Sequence, residues 1–201
     1  MSKPISARLI GRNDQTIYLG YFEQTGESMI VGDPTYPFTG SNVPEVDVGT
    51  RVSGDIWSTT PFFLDNVMPG IYQCWSVKSN LTYQAEEDPY NVFNRLDNTA
   101  VWCIHNNYVN IFNQKWEEIT QVPVDSGQAG IYDANQDYGG GDGEDQEWYD
   151  LNSSITTTDI GAGVLPSGVV SSSGGGDGIY TAYAGYDGET VIAVWIDFND
   201  N

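Results

Sequence analysis

The clearest alternation of apolar and polar positions lies near the end of the chain. In VIAVWIDF, residues 191–198, Ile192, Val194, Ile196 and Phe198 share one face at a period of two, and Val191, Ala193, Trp195 and Asp197 share the other. Both faces carry enough apolar surface to predict a central, well-covered strand. PGIYQCWSV, residues 69–77, alternates as well, with Ile71, Gln73, Trp75 and Val77 opposite Tyr72, Cys74 and Ser76. TIYLGYF, residues 16–22, places Ile17, Leu19 and Tyr21 on one side, while Tyr18 and Phe22 make the other side partly apolar. Further short strands are predicted in the apolar part of ESMIVGDPTYPF, in RVSGDIW, FFLDNV, AVWCIHNNYVNIF, ITQVPV and AGIYDA, and on both sides of SSSGGGDG. Helix is scarce. SSITTTDI supports at most a short helix or a turn around Asp159, because adjacent β-branched threonines disfavour a long one.

These patterns predict a mainly β fold, an antiparallel sandwich or partly closed sheet with little helix, formed by residues 1–201 as a single domain. The segment 134–147 reads as an acidic glycine-rich loop within that domain, since core-like pattern resumes after it. GIY recurs at Gly70, Gly130 and Gly178, but three short matches without a steady period do not establish a repeat.

Composition agrees with a packed core: 39% of residues are hydrophobic and 13% aromatic, too much apolar surface for a disordered polymer. The opening residues contain no apolar run long enough for a secretory signal or a membrane span, so a soluble, cytoplasmic product that does not engage membranes is expected. Cys74 and Cys103 form no disulfide framework and are assigned to structure; they can pair only if folding brings them together. Charge changes the picture more. The net charge is −21, and all seven Lys and Arg lie in residues 1–115, while residues 116–201 hold sixteen Asp and Glu with no Lys or Arg. Such a field disfavours direct nucleic-acid binding, repels anionic membrane and attracts a basic protein or cations.

Candidate chemistry centres on YDANQDYGGGDGEDQEWYD, residues 132–150. With Asp133 as position 1 of a calcium loop, Asn135 and Asp137 take positions 3 and 5 and Glu144 takes position 12, with Asp142 as a further oxygen donor. Tyr138 stands where an EF-hand needs glycine, and neither flank reads as an EF-hand helix. A differently shaped oxygen-rich loop using Asp133, Asn135, Asp137, Asp142 and Glu144, with calcium as the cofactor, remains a reading to test. His105, Ser126 in VDSGQAG and the acids Asp125 and Asp133 are candidates for a hydrolytic site, without a motif that links them. Tyr180, Tyr183, Tyr186 and Trp195 suit either a sugar-binding surface or packing, and packing is the expectation.

VDSGQAGIYD (124–133) and VVSSSGGGDGIYTAYAGYDGETVIAVWIDF (169–198) resemble a bacterial family, domain of unknown function number 4241. MIVGDPTYP (29–37) and PGIYQCW (69–75) are similar to its earlier elements. The resemblance implies a shared, mostly β scaffold and assigns no chemistry to Asp125, Ser126, Asp133, Asp177 or Asp197. The expected function, read from the acidic later portion that lacks Lys and Arg, is a non-enzymatic interaction protein with a basic macromolecular partner. A hydrolytic enzyme using clustered acids or His105 and a calcium-binding structural domain are the alternatives.

Overall fold

The computed structural model describes residues 14–36, 61–84, 92–108, 115–136, 138 and 146–199. In chain order they form β1 (Gln15–Gln24), β2 (Ser28–Gly32), β3 (Phe62–Asp65), β4 (Gly70–Gln84), β5 (Val92–His105), β6 (Lys115–Val124), β7 (Gln128–Asp133), α1 (Gln146–Thr156), β8 (Ala162–Leu165), β9 (Gly168–Ser172), β10 (Gly178–Asp187) and β11 (Thr190–Asp197). Two open sheets result, a six-stranded one ordered β1-β4-β5-β11-β10-β6 and a five-stranded one ordered β3-β2-β7-β9-β8, with antiparallel pairing throughout both. The mainly β expectation holds, and the sheets do not close into a barrel. Between them lies a core that includes Phe22, Tyr72, Val101, Ile131, Val169 and Val194. Burying side chains of this size removes enough apolar surface from water to drive the sheets together.

Strand β11 sits centrally, between β5 and β10, as its two apolar faces predict. The alternation in β4 also holds: Tyr72 and Cys74 point into the core, while Trp75 and Val77 join a cluster on the opposite face. In β1 the simple alternation fails. Its register against β4 shifts between Tyr18 and Gly20, with Gly20 at φ 128°, so the extra residue resets the phase. Tyr21 then pairs with Gln73 on the outer face and Phe22 with Tyr72 on the inner one. Strand β5 begins at Val92, well before the apolar run at 100–104. RVSGDIW lies outside the described residues, as do residues 109–112.

Helix α1 is longer than the threonines predict because it starts upstream, at Gln146, and stops where they begin. The Thr157 hydroxyl donates to the Ser153 carbonyl (2.8 Å) and that of Thr158 to the Ile155 carbonyl (2.7 Å), bonds that compete with continuation. Trp148 and Ile155 pack against Tyr132, Leu165 and Val170 on the outer face of the five-stranded sheet. Asn152, fully buried, accepts the Tyr132 hydroxyl at 3.0 Å and donates to the Trp148 carbonyl at 2.8 Å. The last two residues of the segment read as an acidic loop, Gln146 and Glu147, are thus helical.

The pairing registers reveal a repeat that sequence comparison leaves unproven. Gln24↔Gly70 and Phe22↔Tyr72 in β1–β4 correspond to Val124↔Gly178 and Val122↔Tyr180 in β6–β10, and both ladders slip at the same place, at Leu19 and at Ile119. Cys74↔Cys103 and Val77↔Ala100 in β4–β5 correspond to Ala182↔Ile196 and Gly185↔Ala193 in β10–β11, again with matching slips, after Val77 and after Gly185. The halves meet where Trp102 pairs with Trp195, each the other's counterpart, so an approximate two-fold axis passes between them. Side-chain bonds repeat too: the Tyr72 hydroxyl donates to the Met68 carbonyl (3.0 Å) and that of Tyr180 to the Gly176 carbonyl (2.8 Å). Of the three GIY sequences, those at Gly70 and Gly178 are equivalent; the one at Gly130 lies in β7, in the other sheet.

Across the outer face of the six-stranded sheet the registers align Tyr18, Trp75, Trp102, Trp195, Tyr183 and Glu118 in one row. Trp75 stacks on Trp102 at 4.1 Å and 12°. Ala100, Ala193 and Gly185 occupy neighbouring outer positions and leave room for the indoles. The turn between β9 and β10 holds a second constraint. At Gly174, φ is +63° and an added Cβ would lie 2.2 Å from the Asn98 carbonyl oxygen, whereas at Gly127, φ +67°, nothing lies within 4 Å. Gly127→Ala should cost only the left-handed backbone penalty, about 1–2 kcal/mol. Gly174→Ala adds a clash with backbone and should cost about 3 kcal/mol or more, compared by urea midpoints.

Candidate functional site

At two corners the chain passes from the six-stranded sheet to the five-stranded one: between β1 and β2, and between β6 and β7. An aspartate buried at each governs the crossing. Asp33, just past β2, accepts the N–H of Thr35 (2.8 Å) and the Ser126 hydroxyl (2.6 Å) on Oδ1, and the N–H groups of Asp125 (2.8 Å) and Ser126 (2.9 Å) on Oδ2. Asp133, at the end of β7, accepts the N–H of Asn135 (2.9 Å) and the Gln24 amide (3.1 Å) on Oδ1, and the N–H (2.8 Å) and hydroxyl (2.6 Å) of Thr25 on Oδ2. Each carboxylate holds the turn that leads into the other's strand. Both are essentially inaccessible, at 1% and 0% exposure, so these donors supply the solvation that burial removes.

This geometry decides how Asp133 is used. Both of its oxygens accept protein donors, so this first position of the calcium-like spacing serves as a turn clamp in the fold. Asn135 is exposed and its amide donates to the Thr25 hydroxyl at 3.3 Å. Asp137, Asp142 and Glu144 lie outside the described residues. Tyr138 is buried among Tyr132 and Trp148, and its hydroxyl donates to the Asp133 carbonyl at 2.7 Å. The segment enters from a strand, β7, and leaves through α1, unlike the helix–loop–helix of an EF-hand. Among the described residues no group of three His, Cys, Asp or Glu is arranged to hold a metal ion.

The hydrolytic candidates are dispersed. Asp133 ends β7, whereas Asp125 lies in the turn before the strand, beside Asp33, which is four residues along the chain from the Met29 of β2 that pairs with Asp133; that is roughly 13 Å of extended chain, beyond the reach of a cooperating carboxylate pair. The Ser126 hydroxyl donates to Asp33. His105 is buried; its Nδ1 accepts the N–H of Asn107 (3.2 Å), which leaves Nε2 as the donor to the Pro69 carbonyl (3.2 Å). Its ring packs edge-on against Tyr72 at 5.4 Å, as Phe198 does against Tyr180 at 5.2 Å in the other half. The imidazole therefore fills an aromatic core position. Tyr36 donates its hydroxyl to the exposed Asp125 carboxylate, and burial first, then this bond, pushes the phenol up from its ordinary value. The cleft beside it, lined by Asp33, Tyr36, Phe62 and Pro123, encloses ≈ 210 Å³ including open solvent, below the usual size of a ligand pocket.

The four aromatic candidates do not share one surface. Tyr180 lies inside the sandwich, while Tyr183 and Trp195 belong to the outer row. Trp195 is 3% exposed and Trp102 8%, so the centre of that row is packed. Cys74 and Cys103 are brought into direct register as buried free thiols, and burial pushes both up from the ordinary thiol value.

Charge is what the surface offers. Among the described residues from Trp116 onward, nine carboxylates are exposed: Glu117, Glu118, Asp125, Glu147, Asp150, Asp159, Asp177, Asp187 and Glu189. Three cationic side chains are described, and each is engaged internally. Lys78 donates to the Asp159 carbonyl (2.7 Å), Arg95 pairs with Asp97 (2.5 Å), and Lys115 pairs with Glu117. No described helix is long and apolar enough to cross a membrane. Comparison of the chain with protein-family models, curated proteins and solved structures returns no match.

Asp33→Ala and Asp133→Ala should each lower unfolding free energy by about 3 kcal/mol, because buried N–H groups lose a charged acceptor. Asp125→Ala, at an exposed site with one side-chain partner, should cost less than about 1 kcal/mol in the same denaturant titration.

Proposed function

We propose that the chain is a non-enzymatic interaction protein that binds a positively charged macromolecule. One observation carries this reading: the later half exposes carboxylates on a rigid β scaffold while the described cations are spent on internal contacts. Of the nine exposed carboxylates Glu117 alone pairs with a described cation, and such an excess of one sign raises the local concentration of an oppositely charged partner and speeds its encounter. They also set the selectivity. A polyanion is repelled, so nucleic acid and anionic lipid surfaces are poor partners, whereas a lysine- or arginine-rich protein gains Coulomb energy on approach.

Fluorescently labelled polylysine should bind in low salt, about 20 mM, and weaken at least about tenfold by about 300 mM as screening shortens the reach of the field. Duplex DNA at the same concentrations should stay unbound. Polylysine that stays unbound at low salt, or binding indifferent to salt, would count against the proposal.

A further inference from the structure

We infer that the basic partner docks as an extended, arginine- or lysine-bearing segment along the outer rim of β1, against Tyr18 and Tyr21. The inference rests on the basic-partner reading and gives it a place. Strands β1 and β6 are the two edges of one sheet and equivalent positions in the two halves, so they can be compared residue by residue. Edge strands invite a further strand, and proteins block them with charge and proline. β6 carries both, in Lys115, Glu117, Glu118 and Pro123. β1 has neither from Thr16 to Phe22, and among the described residues no strand pairs with its far side.

Where β6 has Glu118 and Gln121, β1 has Tyr18 and Tyr21. Residues three apart in a regular strand face opposite ways, but the bulge after Tyr18 restores both to the outer face. They are 55% and 64% exposed. Tyr18 is held by Trp75, ring centroids 5.3 Å apart, at the end of the packed aromatic row. Glu23, exposed on the same face of the strand, supplies a carboxylate beyond the two phenols. An extended segment added to this edge gains main-chain hydrogen bonds, and its outward cationic side chains can lie over tyrosine rings and reach Glu23. A second copy of the chain fits less well, because it would bring another net charge of −21 to the contact.

The test uses a fluorescein-labelled twelve-residue peptide alternating arginine and threonine, titrated by anisotropy at low salt into the full chain. The Tyr18→Ser/Tyr21→Ser variant should bind about five- to tenfold more weakly, and Glu118→Gln on the opposite edge should change affinity less than about twofold. In the wild-type chain, amide exchange across Thr16–Phe22 should slow when the peptide is added, a readout that does not depend on any variant. Equal affinity of the tyrosine variant together with unchanged exchange in β1 would overturn the docking site while leaving the basic-partner reading in place. No binding by the wild-type chain would overturn both.

Discussion

Twice the chain leaves the six-stranded sheet for the five-stranded one, and at each crossing a buried aspartate gathers the N–H and hydroxyl groups of the turn. The two clamps are reciprocal. Asp33 follows β2 and fixes the approach to β7, and Asp133 ends β7 and fixes the approach to β2. Because β2 and β7 also pair with each other, from Met29↔Asp133 to Gly32↔Gly130, the centre of the smaller sheet is tied at both ends. A carboxylate without these donors would be untenable at such depth, and a turn without the carboxylate would leave buried N–H groups unpaired. Once the corners are set, β1 and β6 become the edges of one sheet and the core closes between the layers.

The same constraint separates scaffold from surface among the acids. Asp33 and Asp133 belong to the interior, whereas the exposed carboxylates of the later half, even those with a side-chain partner such as Asp125 and Glu117, stay open to solvent and clamp no buried turn. Function is therefore sought in the field those carboxylates make and in the rim that departs most from its counterpart. The two halves supply their own control: a feature present in both, such as the buried tyrosine bonded to a carbonyl four residues earlier, serves the fold. A feature present in one, such as the exposed tyrosines of β1, is open to another use.

Much of the fold was legible from period-two patterns, because strands such as β4 and β11 alternate cleanly between two environments. β1 departs from that pattern after Tyr18, because its bulge shifts the phase and leaves no reliable composition mark beyond Gly20. The repeat was nearly invisible for a different reason. Gly70, Ile71 and Tyr72 match Gly178, Ile179 and Tyr180, and Ala100, Val101 and Trp102 match Ala193, Val194 and Trp195, but insertions change the spacing between these matches. At the corners only the aspartate itself is shared, since backbone donors can come from any residue. The calcium-like spacing does single out Asp133, but spacing alone does not show the turn it clamps, because an aspartate with an asparagine two residues on also describes an Asx turn.

Native-state amide exchange at Thr25, Asp125 and Ser126 tests the central claim most directly. These residues lie in turns, where exchange is ordinarily fast. If the buried carboxylates hold both corners, their amides should exchange at least about a thousandfold more slowly than in an unstructured peptide, alongside those of β2 and β7. Exchange at the unstructured rate, with β2 and β7 still protected, would contradict the account.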